Sequence, residues 1–368
     1  MRSVVNASSS QASRPQPQPH LYDLTREDLA AWIEAQGEKP SHADRIFRAI
    51  YRHNRTSLEG ISNLPVRLAR KLEDHFSLEP LQTERVLDSS DGTRKILFRL
   101  YDGARVETVC IPSGKRMTLC ISSQVGCALA CRFCYTASMG PGRNLAVSEY
   151  IGQVVEGLRQ APCDYSVVNI VFMGMGEPLV NFKNLLSTLS ILTDHFGLQL
   201  GARRITVSTA GLSPQIVALG KAFPVRLALS LHATTDEIRD DLMPINQRYN
   251  IANLFAAMQE FQELPGQNDV AVLLEYTLIK DVNDSLEDAH RLAELAQSIR
   301  SKVNLIPYNE HPGAPYKSPD DSVLWPFMQV LQQAGVRVTK RITRGDDILA
   351  ACGQLAISTP PRSAAPTP

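Results

Sequence analysis

The sequence predicts an α/β protein built as a partial (β/α)6 barrel, preceded by a small N-terminal helical accessory domain and a short β extension. Three observations lead there. Apolar runs suited to strands alternate with helical stretches across most of the 368 residues, a pattern that makes a parallel sheet with right-handed crossovers. Nearly every apolar run stops at a polar residue just before its loop, and polar groups collected at the carboxyl ends of parallel strands are how (β/α) barrels build their sites. Before these alternating runs the chain reads first as helix and then as a short antiparallel extension.

The strand-like runs are Met117 to Ile121, Val167 to Phe172, Ile205 to Ser208, Leu227 to Leu231, Val270 to Leu278 and Val303 to Pro307. Helical stretches lie between them at Ser148 to Arg159, Phe182 to Thr193, Ile251 to Phe261 and Leu286 to Ile299. The polar endings are a cysteine loop after the first run, Gly174-Met-Gly-Glu177 after the second, Ser208-Thr209 after the third, Ser230 and His232 after the fourth and Asn309 after the sixth. The period alone does not separate an open sheet from a barrel; the placement of these polar residues does.

Upstream, Leu21 to about Leu81 is helical, with Thr25, Glu27 and Asp28 as a helix start and Leu29, Trp32 and Ile33 at core spacing behind it. In the next helix Ala43, Ile46, Phe47 and Ile50 gather on one side and Arg45, Arg48, Arg52 and Arg55 on another. With Arg67, Arg70 and Lys71 following, this basic face is expected to meet phosphates. Two Asp-Gly turns then separate Arg85-Val-Leu-Asp88, Lys95 to Leu100 and Val106 to Ile111, which read as an antiparallel extension. The expected organisation is a disordered tail at 1–20, a helical domain at 21–82, the β extension at 83–115, the barrel at 116–356 and a second disordered tail at 357–368.

Composition bounds the function. Lys plus Arg balance Asp plus Glu at 38 each, so a nucleic-acid partner has to be met by a local patch. No run approaches the ~18 apolar residues that cross a bilayer. Seven cysteines, an odd number, and no apolar signal segment point to a reducing cytoplasm.

Three of those cysteines lie within Cys127-Ala-Leu-Ala-Cys131-Arg-Phe-Cys134. Three thiolates are one short of a closed zinc site or a fully ligated 4Fe-4S cluster, so a cluster held here keeps one iron open. A zinc knuckle that borrows a ligand from elsewhere is the plainer alternative. The spacing, with Phe133 before the third thiol, resembles the signature of the radical S-adenosylmethionine (SAM) enzymes. In these the open iron chelates SAM, and one electron cleaves it to a 5′-deoxyadenosyl radical.

The resemblance extends over almost the whole chain. Ala43-Asp-Arg-Ile-Phe47, Asp91-Gly-Thr-Arg-Lys95, Val106-Glu-Thr-Val109, Phe172-Met-Gly-Met-Gly-Glu-Pro-Leu179, Ser230-Leu-His-Ala233, Leu242-Met-Pro-Ile-Asn246, Val303 to Asn309, Arg344-Gly-Asp-Asp-Ile348 and Ala350-Ala-Cys-Gly-Gln-Leu355 resemble stretches of the RlmN/Cfr family of radical SAM RNA methyltransferases. The match is nearest to the RlmN type. It implies methylation of adenosine carbon-2 in 23S rRNA, at the peptidyl transferase centre, and in tRNA, 3′ of the anticodon. Cofactors so implied are a 4Fe-4S cluster on Cys127, Cys131 and Cys134 and two SAM molecules per turnover.

The chemistry agrees with this. Carbon-2 of adenine has no lone pair with which to attack the methyl of SAM, so a radical route is needed. By the resemblance, Cys352 carries the methyl, Cys120 resolves the RNA adduct and leaves a disulfide with Cys352, and Glu107 is the base. Gly176, Glu177, Ser208, Ser230, Leu231, His232 and Asn309 match positions of the SAM pocket. The implied partners are both RNAs, an external electron donor of the flavodoxin kind and a disulfide reductant, with the chain a cytoplasmic monomer and no membrane involved.

RNA contacts are expected from the Arg45, Arg48, Arg52 and Arg55 face and from Arg337, Lys340, Arg341 and Arg344. Cys110 and Cys163 are expected in the core. Tyr135, after the third cysteine, is larger than the family pattern suggests. A carbon-8 methyltransferase of the same family and a non-catalytic iron-sulfur or zinc RNA-binding protein are the competing readings.

Overall fold

The computed structural model describes residues 18–357. Both tails expected from composition lie outside the described residues, apart from their inner ends. At the inner end of the first, the Pro19 carbonyl accepts from Ser77 N–H at 2.8 Å and Gln18 reaches the carbonyls of Glu73 and Asp74.

Helices α1 (Arg26–Ala35), α2 (His42–Phe47) and α3 (Val66–His75) make the N-terminal part. Thr25 and Asp28 close a capping box on α1, each accepting from the other's backbone N–H at 3.2 Å. Leu29, Ile33, Ile46 and Leu68 are fully buried between these helices. The turn after α2, Arg48–Arg52, widens to a π-helix.

Part of its basic face, while exposed, also makes contacts within the protein. Arg52 donates to the carbonyls of His195 and Gly197 and to the Gln199 side chain, and Arg48 lies over the Phe196 ring. Arg26 of α1 adds an ion pair to Asp194 at 2.8 Å. These arginines dock the helices onto the barrel loop around 194–199.

One sheet of ten strands runs in chain order from β1 to β10. Strands β1 (Gln82–Asp88), β2 (Arg94–Arg99), β3 (Arg105–Ser113) and β4 (Arg116–Cys120) pair antiparallel. From β4 onward β5 (Val167–Phe172), β6 (Ile205–Thr209), β7 (Arg226–Ser230), β8 (Val272–Leu278), β9 (Ser301–Pro307) and β10 (Val338–Lys340) pair parallel. The short α4 (Tyr135–Ser138) follows the cysteine loop. The remaining helices are α5 (Val147–Arg159), α6 (Phe182–Thr193), α7 (Ser213–Ala222), α8 (Asp236–Leu242), α9 (Ile251–Glu263), α10 (Leu286–Gln297) and α11 (Asp321–Gln333).

No pairing joins β10 back to β1. The gap is crossed instead by the stretch after β10. Asp347 accepts from the Ser89 hydroxyl at 2.5 Å, Gly345 N–H donates to Asp91 at 3.0 Å, and the Lys95 ammonium donates to the Leu349 carbonyl at 3.0 Å. This plug seats Cys352 at the barrel's upper end.

Candidate active site

The strand ends surround a cleft of about 1030 Å³. Cys127, Cys131 and Cys134 form one wall, with Gly174, Gly176 and Glu177 opposite. The loop after β5 can lie so close because it lacks side chains there. A Cβ on Gly174 would stand 2.7 Å from the Ile121 carbonyl oxygen, and one on Gly176, whose φ is +92°, would stand 2.5 Å from Gln124 Cβ.

Glu177 is buried, and its carboxylate accepts from the N–H groups of Leu179 at 3.0 Å and Ala210 at 2.7 Å. Burial nevertheless pushes its carboxyl up to about 7, against the pull of those donors. A cationic ligand would restore the charge that the site now resists.

His232 is held in the left-handed region at φ 56° by bonds on two sides. Its Nδ1 accepts from Thr277 N–H at 3.0 Å, and its carbonyl accepts from Asn283 at 2.7 Å. With Nδ1 accepting, the ring proton sits on Nε2, a donor available to the cleft. Burial pulls its pKa down to about 3. Between pH 6.5 and about 3 the unfolded chain therefore binds a proton that the folded one refuses, so stability should fall on acidification through that window. The slope for one group reaches about 1.4 kcal/mol per pH unit. Denaturant titrations should show it in the parent and lose it in His232→Asn; equal slopes would refute it.

Ser208, Ser230 and Asn309 line the cleft as expected, and Leu231 does not. The Leu231 side chain is fully buried in the core and only its backbone takes part, the carbonyl accepting from Arg239 at 3.0 Å. Cys352 is on the cleft wall, and its carbonyl accepts from the Asn309 amide at 3.0 Å. Its loop is tied to the cysteine loop by Tyr135 N–H to the Gly353 carbonyl at 2.8 Å and the Thr136 hydroxyl to the Leu355 carbonyl at 2.6 Å. Tyr135 itself stacks on His311 with ring centroids 4.7 Å apart.

A second cavity of about 860 Å³ meets the first at Cys352, Asn309 and Arg341, and Cys120 lines this one. The Cys352 sulfur is near enough to burden the ionisation of Cys120. Burial, with Cys352 beside it, pushes the Cys120 thiol up to about 12. Burial also raises the Cys352 thiol, and the Arg341 guanidinium pulls it back.

Glu107 is placed elsewhere. It lines a separate cleft with Glu84, Lys95 and Arg105, and its Oε1 pairs with the Lys95 ammonium at 3.0 Å. Both of these side chains are buried, and Lys95 also holds the Leu349 carbonyl. The pair thus braces the plug beneath Cys352, while the Glu107 side chain lines neither of the cavities that meet there.

Two further expectations are corrected. Arg341, expected among the residues that grip the RNA backbone, faces Glu275 at 3.7 Å and the Cys120 and Cys352 sulfurs inside the site. Cys163 is exposed; only Cys110 is in the core, its thiol on the Gly157 carbonyl.

The residues suit the expected cofactors. Three free thiols face an acidic, glycine-lined wall across a cleft of small-molecule size, and the buried Tyr308 hydroxyl on that cleft has no partner. Among the described residues no three His, Cys, Asp or Glu side chains are arranged to hold one metal ion. Cys127, Cys131 and Cys134 are the residues that would hold the cluster.

Comparison with known proteins gives the family. Residues 121–293 match the Radical SAM superfamily, and residues 20–78 match the ribosomal RNA large subunit methyltransferase N-terminal domain. A dual-specificity RNA methyltransferase RlmN of Geotalea uraniireducens is 46% identical over 335 residues, 91% of this chain and 96% of that protein. The chain belongs to the RlmN family of radical SAM RNA methyltransferases. The RlmN of Geobacter sulfurreducens is 46% identical over 332 residues, 90% of each chain. The crystal structure of a radical SAM methyltransferase from Sphaerobacter thermophilus superposes with a TM-score of 0.84 at 42% identity, covering 91% of this chain and 98% of that one. RlmN family membership implies a 4Fe-4S cluster and SAM.

Glu275 and Tyr308 escaped the sequence reading. Glu275 carried a usable signal, as a lone acid inside the apolar run Val272-Leu-Leu-Glu-Tyr-Thr-Leu278, because a buried acid needs a reason.

Proposed function

We propose that the chain methylates carbon-2 of adenosine in 23S rRNA and in tRNA, with Cys352 as methyl carrier and Cys120 as the thiol that frees the product. The observation that carries this reading is the meeting of two cavities at Cys352, one bounded by the three cysteines at metal spacing and the other by Cys120. When bound, the cluster and SAM supply the carbon radical that an inert ring position requires, and a further SAM supplies the methyl.

The chain's own groups do the rest. Arg341 stabilises the Cys352 thiolate for methyl acceptance, and Glu275 orients Arg341. Glu177 and His232 offer an acceptor and a donor to the polar ends of SAM, and Ser208, Ser230 and Asn309 shape its pocket. Once RNA is joined to Cys352, the Cys120 thiolate bonds to the Cys352 sulfur as that sulfur's bond to the new carbon breaks, the carbon keeping the electron pair and taking a proton to become the methyl group. A disulfide remains, and its reduction takes two electrons from outside.

This reading places the enzyme in the cytoplasm as a monomer, served by a flavodoxin-like electron donor and a disulfide reductant. No helix of the described residues is long and apolar enough to cross a membrane. The helical domain, 21–82, grips the RNA, and the target adenosine is splayed out at a cost of a few kcal/mol, least in a loop. With Arg48 and Arg52 docked on the barrel, the cations of the helical domain best placed for RNA are sought on α3, where Arg70 and Lys71 are exposed and Arg67 is paired with Glu38 at 2.6 Å. Arg70→Glu with Lys71→Glu should raise KM for RNA and lower its salt slope, whereas Arg52→Glu should chiefly reduce stability. An unchanged salt slope in the double variant would count against α3.

The test of the function is nucleoside mass spectrometry after anaerobic reaction with 23S rRNA fragments and tRNA. 2-Methyladenosine is expected in both; 8-methyladenosine, or no methylation, overturns the reading.

A further inference from the structure

The two cavities at Cys352 differ in one respect that matters chemically. Cys120 borders only the outer one, while the three clustered cysteines border only the inner one. The outer cavity lies in the gap of the open barrel, between Ile111 and Thr118 on one side and the stretch from Arg341 to Arg344 on the other. At its edge Ile342 is 74% exposed. Arg341 and Arg344 both line it, and each has only a long ion pair, 3.7 Å to Glu275 and 3.9 Å to Asp91. Neither guanidinium donates a side-chain hydrogen bond to the described residues. A cavity with an apolar edge, two guanidinium groups whose ion pairs to carboxylates are long, and both cysteines in its lining suits a small anionic thiol.

We propose that this outer cavity is the binding site and access route for a low-molecular-weight anionic thiol that reduces the Cys120–Cys352 disulfide. The inference rests on the carrier reading above and extends it to the reductant. Turnover leaves the inner cavity committed to SAM-derived ligands and RNA, so a reductant using that side would have to wait for them to leave. The outer cavity reaches both sulfurs without crossing it. The thiolate of the first molecule attacks Cys120 Sγ, forming a mixed disulfide and releasing the Cys352 thiolate beside Arg341. The thiolate of a second molecule attacks the outer sulfur of that mixed disulfide, releasing Cys120 and leaving the oxidised dimer of the thiol. Two thiols are oxidised, one disulfide is reduced, and the two protons of the thiols pass to the two cysteines.

The experiment starts from full-length holoenzyme after one turnover, with the linked Cys120–Cys352 peptide quantified by mass spectrometry. Its reduction is followed with glutathione, which is anionic, and with cysteamine, which is cationic, each normalised to its rate on a free disulfide. Glutathione should be faster by about tenfold at low salt, the advantage fading near 1 M salt. Arg344→Gln should shrink the advantage, and Ile342→Trp should slow both thiols severalfold while first-turnover methylation is unchanged. Saturating S-adenosylhomocysteine in the inner cavity should leave the rates as they were, an arm that needs no variant. Equal normalised rates, protection by S-adenosylhomocysteine, or reduction by a protein dithiol alone would each overturn the access route while leaving the carrier reading intact. Absence of the linked peptide after turnover would overturn both.

Discussion

Cys120→Ala is expected to stop the reaction after RNA has been joined to Cys352, so that protein and RNA accumulate as a covalent adduct. The structure offers no substitute for the missing sulfur. Cys110 is turned away onto the Gly157 carbonyl and Cys163 is exposed, while the three cysteines of the loop face the inner cavity. Alanine is small enough to keep the fold, because Cys120 contributes a buried thiol with its pKa already raised to about 12 and no buried charge. Multiple turnover should drop on the order of 10³-fold or more, the scale on which loss of an attacking nucleophile is felt. The single-turnover adduct should be visible as protein of RNA-shifted mobility, with the crosslink mapped to Cys352. Full methylation without an adduct would remove Cys120 from the mechanism and return it to the core.

The second large effect concerns stability. Arg239 is fully buried, and its guanidinium donates to the carbonyls of Ala210 at 2.7 Å, Ser230 at 3.0 Å and Leu231 at 3.0 Å, and to the Asn246 side chain at 2.9 Å. Asn246 in turn donates to Asp236 and Asp240, so the charge is answered through one amide. Burial pulls the guanidinium down to about 10. Arg239→Met should cost about 3–5 kcal/mol, because it leaves three carbonyls at the ends of β6 and β7 without a donor. Those ends carry Ser230 and His232, so SAM affinity should fall with stability. A loss under about 1 kcal/mol in denaturant titration would mean that water reaches these carbonyls and the guanidinium is dispensable.

Much of the architecture was legible because a parallel sheet writes itself as apolar runs. The six barrel strands fall within about two residues of the sequence assignment, and the helix Phe182–Thr193 matches it fully. What stayed hidden has physical reasons. Helices α7, α8 and α11 carry proline at or near their starts, mixed charge or an internal proline, so no clean period announces them. The plug that closes the gap has no periodic structure at all, and its placement depends on contacts such as Asp347 with Ser89, some 258 positions apart.

Charge misled for a similar cause. A helical wheel groups Arg48 and Arg52 correctly but cannot show that both, though exposed, touch the loop at 194–199. Nor can it show that Arg341 turns inward to two sulfurs. The cysteines and the Gly174-Met-Gly-Glu177 stretch were readable because spacing itself is their chemistry.

The unbroken ladder from β1 to β10 has one more consequence. With neighbouring strands bonded all the way across, and α1 and the turn after α2 pinned to the loop at 194–199, nothing in this arrangement serves as a pivot between the helices and Cys352. On the proposed reading, in which the helical domain grips the RNA, the span from that grip to Cys352 is fixed, and the protein would act as a caliper that selects an RNA by the distance from the held backbone to its extruded base.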